Sequence, residues 1–325
     1  MLSHKNITRI ALAALCLLAS PLALAQAYPA KPVKLIVPFP PGGPTDIVGR
    51  FVASKLSDAL GQQFVVENRA GAGGTVGSEV ASQASADGYT LLYGSTSTLA
   101  MAPSLYRKLA YDPRKSFAPI SMVSSGPLLI AVNASVPANT LAELIALAKD
   151  KPGSLNYASA GNATPPHLAA EMFKSMAGVN LVHVPYKGGG PALQAVTAGE
   201  VQILFEGLVT LLPQIKSGRL RALAISAAAR DPALPDVPTS AEAGLPAFQV
   251  NFWSGLVAPA GTPPEVVATL NTALRQVLAG GEAKATLTRF GLAPAGNTPP
   301  EFSRFIDSEI LRWERVIQAS GAKVD

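Results

Sequence analysis

The stretch Val33-Lys34-Leu35-Ile36-Val37-Pro38-Phe39-Pro40-Pro41-Gly42-Gly43-Pro44-Thr45-Asp46 sets the pattern from which the rest of the chain is read. Residues 33–37 are largely aliphatic and β-branched and suit a buried strand. The prolines at 38, 40 and 41 cannot donate to a ladder, so the strand stops there. Gly42 and Gly43 free the backbone for a turn, and Pro44 fits a first helical position, where no N–H is needed. Ile47, Val48, Phe51, Val52, Leu56 and Leu60 then recur on one side at helical spacing until Gly61. A strand, loop and helix start of this kind directs unpaired N–H groups beyond the strand's C-terminal end. The helix dipole favours an anion there, and a carboxylate is the natural guest. A tight connection with no ligand is the simpler alternative for this stretch taken alone.

The same order of elements repeats. Residues 64–68 read as a second strand, Arg69 to Thr75 as a glycine-rich loop, and Val76 to about Ala84 as a helix. Asp87-Gly88 turns the chain into a strand over Tyr89–Tyr93, followed by the small polar run Gly94-Ser95-Thr96-Ser97-Thr98. A second copy of the opening follows the helical pattern of 140–149. It comprises a strand over Leu155–Ser159, the loop Ala160-Gly161-Asn162-Ala163-Thr164-Pro165-Pro166, and a helix from His167 to Met176 with Thr164 as its N-cap. Leu181–Tyr186, the loop Lys187-Gly188-Gly189-Gly190-Pro191 and a helix over 192–198 form another unit. Strands over 201–205, ending at Glu206-Gly207, and over 220–226 complete the set.

Strands alternating with helices predict an α/β protein whose sheets are mostly parallel and flanked by helices, with ligands at the strands' C-terminal ends. Two extended crossovers, near 120–132 and 248–257, join two such sheets, so the chain is expected to form two lobes around a hinged cleft. Thr262 and Glu265 have capping-box spacing ahead of a helix over 266–278. Phe302, Phe305, Ile306, Ile310, Trp313 and Ile317 line one face of a last helix from Pro299 to about Ser320.

Composition narrows the function. The 325 residues are 48% hydrophobic and 14% charged, enough for two packed lobes. Residues 1–27 show basic residues, an apolar run from Ile10 to Leu18 and the small-residue end Ala23-Leu24-Ala25-Gln26-Ala27, the anatomy of a cleaved secretory signal; cleavage after Ala25 and after Ala27 both satisfy it. That apolar run is shorter than the roughly 20 residues a spanning helix needs. Cys16, the one cysteine, lies in this segment, so the mature chain has neither disulfide nor catalytic thiol. Loss of Lys5 and Arg9 with the signal leaves 24 basic against 21 acidic residues, dispersed rather than clustered, which opposes a nucleic-acid partner.

Motifs for catalysis and metal binding are missing. The glycine spacings match neither a dinucleotide fold nor a P-loop; His167 and His183 lack metal-ligand neighbours; no Gly-x-Ser-x-Gly elbow is present. No cofactor and no metal is expected, and a binding protein is preferred over an enzyme. Asp46 in the first helical turn, and Glu206, read as structural unless the guest carries an amine. Lys187 and Arg69 are candidate counter-charges. Trp253 and Phe252 are candidates for core packing or for a ligand-facing wall.

Tyr28-Pro29 with Val33 to Asp46, Glu67 to Gly74, Asp87 to Leu92, Phe117-Ala118-Pro119-Ile120, His183 to Gly188 and Asp236-Val237-Pro238-Thr239 together resemble the Bug (Bordetella uptake gene), or TctC-like, periplasmic solute-binding proteins, over essentially all of the mature chain. The resemblance implies a two-lobed, hinged binding protein of the type II kind, with residues 28–125 and 253–325 as lobe 1 and 126–252 as lobe 2. It implies a periplasmic monomer that captures a small organic acid and delivers it to the inner-membrane subunits of a tripartite tricarboxylate transporter, or signals it to a membrane sensor. By similarity the guest is gripped by Pro41, Gly42, Gly43, Thr45 and Asp46 in one lobe and by Ser159, Gly161, Asn162, Thr164 and His167 in the other. Ser95, Tyr186, Lys187, Gly188 and Glu206 flank them. Ala163, where a glycine is usual, and Glu206-Gly207, where relatives often carry Asp-Asn, are departures at the far end of the cleft. A LysR-type sensing domain shares the two-lobed plan but is opposed by the signal and by the missing DNA-binding helices, and an enzyme on the same scaffold is the third alternative.

Overall fold

A computed structural model describes residues 28–162, 164–322 and 324; the expected signal segment 1–27 and the departure at Ala163 lie outside the described residues. The first unit forms as expected, with strand β1 (Val33–Val37) followed by helix α1 (Pro44–Leu60), which Gly61 ends in the left-handed conformation. Val48, Val52 and Leu56 face the core, while Ile47, expected on the same face, is exposed in the first turn beside the loop. Strand β2 (Phe64–Asn68), helix α2 (Thr75–Ser82) and strand β3 (Thr90–Ser95) follow, then a π-turn over Ser97–Met101 and the short helix α3 (Ala102–Leu105). β1 pairs in parallel with both β2 and β3.

The extended crossover expected near 120–132 is part of a single strand, β4 (Phe117–Asn133), 17 residues long. After helix α4 (Leu141–Asp150), capped by the Thr140 side chain, come strand β5 (Asn156–Ser159), helix α5 (Pro165–Ala177), strand β6 (Val182–Pro185), helix α6 (Gly189–Ala198) and strand β7 (Ile203–Gly207). Helix α7 (Leu208–Lys216) and strand β8 (Leu220–Ile225) complete this part, and strand β9 (Asn251–Pro259) returns the chain. Helices α8 (Pro264–Ala279) and α9 (Gly281–Arg289), the two-residue strand β10 (Ala293–Pro294) and helix α10 (Pro299–Ser320) end it.

The strand order is β2-β1-β3-β9-β4-β7-β5-β6, with β8 and β10 also pairing β4. The outer strands pair in parallel, and the long strands β4 and β9 run antiparallel to their neighbours, so the whole is a mixed sheet with helices packed on it. Strand β4 belongs to both ends. Its first part, to Pro127, pairs with β9, and its second part, from Leu128, pairs with β7 and β8.

Of two expected caps, one is corrected and the other holds in position though not through its side chain. Thr262 donates its hydroxyl to the Pro259 carbonyl, and Pro263 is the residue that precedes α8. Thr164 does sit at the N-cap of α5 with extended backbone, but its hydroxyl donates to Gly161 O at 2.7 Å instead of accepting a helix N–H. The capping box is at α10, between Thr298 and Glu301.

Helix α10 ties the two ends together. Phe302, Ile306, Ile310, Trp313 and Ile317 join one core cluster with Ile36 and Leu92 from one end and Tyr157, Phe173 and Phe205 from the other. Buried Glu309 accepts hydrogen bonds from the indole N–H groups of Trp253 (3.0 Å) and Trp313 (3.1 Å) and pairs with Arg312. The indole of Trp253 is 3% exposed and packs on Phe302 and Phe305. It belongs to the core and not to a ligand-facing wall. Where β9 passes under the helix only glycine fits, because a Cβ on Gly255 would stand 2.2 Å from the Phe302 ring.

Candidate functional site

The register of the sheet brings the loops together. At one end, β3 finishes at Ser95, opposite Ser254 of β9, which in turn lies opposite Ser124 of β4. At the other, β7 finishes at Gly207 opposite Leu128 of β4, with β5 parallel beside it. The C-terminal ends of both groups of parallel strands therefore approach the same few residues of β4, around Gly126-Pro127. The helices that follow these parallel strands start with N–H groups that the helix itself leaves unsatisfied.

The first loop is held by Asp46. Its carboxylate is buried, Oδ2 accepting from Gly42 N (2.9 Å) and Arg50 Nε (2.9 Å), and Oδ1 from Asn68 Nδ2 (2.8 Å). The same Asn68 amide bonds Phe39 O, so strand β2 also fixes the loop's entry. Burial raises the Asp46 carboxyl, but Arg50, the Gly42 N–H and Asn68 together outweigh it and hold it below the ordinary value. Both oxygens are engaged within the fold, so Asp46 shapes the nest. Gly42 adopts φ +81°, Gly43 is the N-cap without a side-chain cap, and the N–H groups of Gly43, Thr45 and Asp46 have no partner that the helix itself supplies. Pro41, just before this turn, is exposed.

The second loop hangs on Ser159, which is fully buried. Its hydroxyl lies 3.0 Å from Gly161 O, 3.1 Å from Gly161 N and 2.6 Å from His183 Nε2, while its carbonyl accepts from Tyr186 N. Gly161 (φ +127°) lets the turn close, Asn162 is exposed at its tip, and the Thr164 hydroxyl bridges back to it. His167, in the first turn of α5, stacks on His183 at 4.1 Å between ring centres, and His183 stacks on Tyr157 at 4.8 Å. Burial, and then the neighbouring His167, push His183 down to about 4, and burial also lowers His167. Burial thus disfavours the charged form of both imidazoles. Tyr157 Oη donates to Glu171, which Lys174 pairs at 2.7 Å.

The third loop packs against the second. Gly188 N donates to Ala160 O, Gly188 has φ +113°, and Tyr186 is partly buried against the apolar cluster beneath α6. Lys187 is exposed and makes no ion pair among the described residues, whereas Arg69, the other candidate counter-charge, pairs with Glu67. Glu206 ends β7 beside the N-terminus of α6. Its Oε1 accepts from Gly207 N at 2.9 Å, and its Oε2 is 3.5 Å from where a Cβ on Gly189 would stand. Part of its surface is accessible, yet dense protein surrounds it, and that burial raises its carboxyl above the ordinary value against the single Gly207 hydrogen bond. Across the sheet, Ser95 Oγ is buried with no hydrogen-bond partner.

The sequence singled out His167 and His183 separately but not their stack, nor Tyr157, Glu171 and Lys174 beneath it. The one signal was positional. Tyr157 and His183 sit at matching places on adjacent parallel strands, and their register makes them neighbours. Among the described residues no group of three or more His, Cys, Asp or Glu side chains is arranged to hold a metal, and no helix is long and apolar enough to cross a membrane. What the loops offer is a set of main-chain donors and hydroxyls with few charged side chains, an arrangement suited to binding an anion.

Such loops on an α/β binding-protein scaffold define a solute-binding protein. Residues 48–322 match the family described as tripartite tricarboxylate transporter family receptor, TctC. The chain is 40% identical over 304 residues, 92% of its length and 92% of the relative's, to Protein BugT of Bordetella pertussis. A protein of R. palustris solved with adipate superposes with TM-score 0.84 at 36% identity, covering 91% of this chain and 100% of that one. MatC of Rhodopseudomonas palustris, solved with bound malate, superposes with TM-score 0.81 at 36% identity, covering 89% and 100%. The chain belongs to the TctC, or Bug, family of solute-binding proteins, a family of carriers and not of enzymes.

Proposed function

We propose that this protein captures a small organic acid in the periplasm and presents it to the membrane subunits of a tripartite tricarboxylate-type transporter. What supports the proposal is a pair of glycine-bearing helix starts, Gly42–Asp46 and Gly161 with Thr164, one following each of the two groups of parallel strands that β4 joins. Each offers main-chain N–H groups and a helix dipole to a carboxylate. Bridging waters serve such a grip at little cost and adapt it to acids of different length. The adipate and malate found in two relatives are the kind of guest that this grip suits.

Residues 28–125 and 253–325 then act as one lobe and 126–252 as the other, with β4 and β9 as the flexing crossovers and α10 as a third connection packed on both. Residues 1–27 act as the export signal. The protein works as a monomer, and Ser95, whose hydroxyl lacks a partner, is a ready donor to the guest.

Native mass spectrometry of protein purified without refolding should show a retained acid. Calorimetry with that acid should show weaker binding for Gly43→Val, whose added side chain stands in the first nest. Unchanged affinity in this variant, or a crystal of the complex with the acid bound away from both loops, overturns the proposal.

A further inference from the structure

The carboxyl of Glu206 stands out in a site otherwise built to hold an anion. It ends β7 at the same sheet edge as the second and third loops, leaning toward Gly189 on one side and bonded only to the Gly207 N–H on the other. Gly188, next to Gly189, is hydrogen-bonded to Ala160, so the carboxyl lies one loop away from Gly161. No ion pair among the described residues includes it: the cations of this end are engaged elsewhere, Lys174 with Glu171 and Arg230 with Glu242, or, like Lys187, lie exposed on the loop. An unpaired carboxylate in such a place repels a second carboxylate and attracts a cation.

We infer that Glu206 selects the guest: the bound molecule places a carboxylate on the glycine loops and a cationic amino group against Glu206, so the site prefers amino-bearing carboxylates to their plain counterparts. This inference rests on the carboxylate-carrier function proposed above and adds the second recognition element. The raised Glu206 carboxyl fits it, because burial disfavours the charged form and an approaching ammonium would favour it. Main-chain amides alone could not draw this distinction, since they bind the shared carboxylate of both compounds equally.

The test is calorimetry on the mature protein with three matched pairs: L-aspartate and succinate, L-glutamate and glutarate, 4-aminobutyrate and butyrate. The expected result is that, in at least one pair, the amino compound binds about tenfold or more tightly than its partner, as a hydrogen bond between charged groups implies. Glu206→Gln, which keeps an acceptor for the Gly207 N–H, should lower that ratio about tenfold, mainly by weakening the amino compound. Gly43→Val should weaken both members of the pair and leave the ratio unchanged. A wild-type protein that prefers the plain acid, or a ratio that Glu206→Gln leaves intact while Gly43→Val weakens both compounds, overturns the role of Glu206 and leaves the carrier function standing. If no member of any pair binds, or Gly43→Val changes nothing, the carrier function falls and this inference falls with it.

Discussion

The Asp46 carboxylate accepts the N–H of Gly42, four residues before it, at 2.9 Å, so the loop that precedes α1 is closed by the first turn of its own helix. Arg50 and Asn68 complete the arrangement from the next turn and the next strand. The loop is thus shaped before any ligand arrives, which reduces the ordering that binding would otherwise have to supply.

Asp46→Ala should remove that closure, leave the Gly42 N–H unmatched and take one acceptor each from Arg50 and Asn68. A loss of about 2 kcal/mol is expected in urea unfolding, with weaker acid binding beside it. Asn68→Ala should cost less on its own. The double variant should fall short of the sum of the two, because the residues share one network.

Gly42 and Gly43 should respond differently to substitution. Gly42 has φ +81°, so Gly42→Ala should cost about 1 kcal/mol in stability. Gly43 is extended, and a Cβ there would meet only Pro40 O at 3.7 Å, so Gly43→Ala should change stability by less than about 0.5 kcal/mol. Paired thermal melts of the two variants check the asymmetry.

The imidazole of His183 should titrate near pH 4 by NMR, well below the 6.5 of an exposed histidine, because burial and the stacked His167 both disfavour its charged form. The unfolded chain takes up this proton first as pH falls. The stabilising contribution is therefore complete above pH 6.5 and is lost as pH drops from there toward 4, and denaturation midpoints should decline across that window. A midpoint near 6.5 would contradict the stack.

Glu206 has the opposite dependence. Its folded-state value is raised, so the native protein holds the proton more tightly than the unfolded chain, and the penalty of ionising it is absent below about pH 4.5 and grows as pH rises through the folded value. Without ligand, Glu206→Gln should melt higher than the wild type at pH 8, and the two curves should converge in acid. A difference that persists in acid would point to packing as its cause.

Gly255→Ala should be strongly destabilising, by about 2 kcal/mol or more, since its Cβ has no room beside Phe302 and Ser121 O. Phe302→Leu should recover part of the loss in the double variant. Urea titrations of the three proteins measure this directly.

Much of the element order was legible in the chain because its punctuation is strong. The prolines after Val37, the glycine at 61, and Pro299 at the start of the last helix mark boundaries that the backbone obeys for steric reasons. Helices α7 and α9 escaped notice. Pro213 interrupts the first, and the second starts at a glycine pair, so each carries a residue that ordinarily breaks a helix, and packing overrides it. Thr262 had the right spacing for a cap but turned its hydroxyl back to Pro259, a local competition that spacing cannot resolve.

The candidate site divides in the same manner. The glycine loops and their helix starts follow from residues within a few positions of one another, and sequence alone determined them, because turn and N-terminal preferences act locally. The stack of Tyr157, His183 and His167, the burial of Trp253 against Glu309, and the lack of an ion pair to Glu206 among the described residues depend on groups brought from distant strands and helices. Only the tertiary structure decided these, since desolvation and ring stacking are set by which neighbours the fold supplies, and no local preference encodes them.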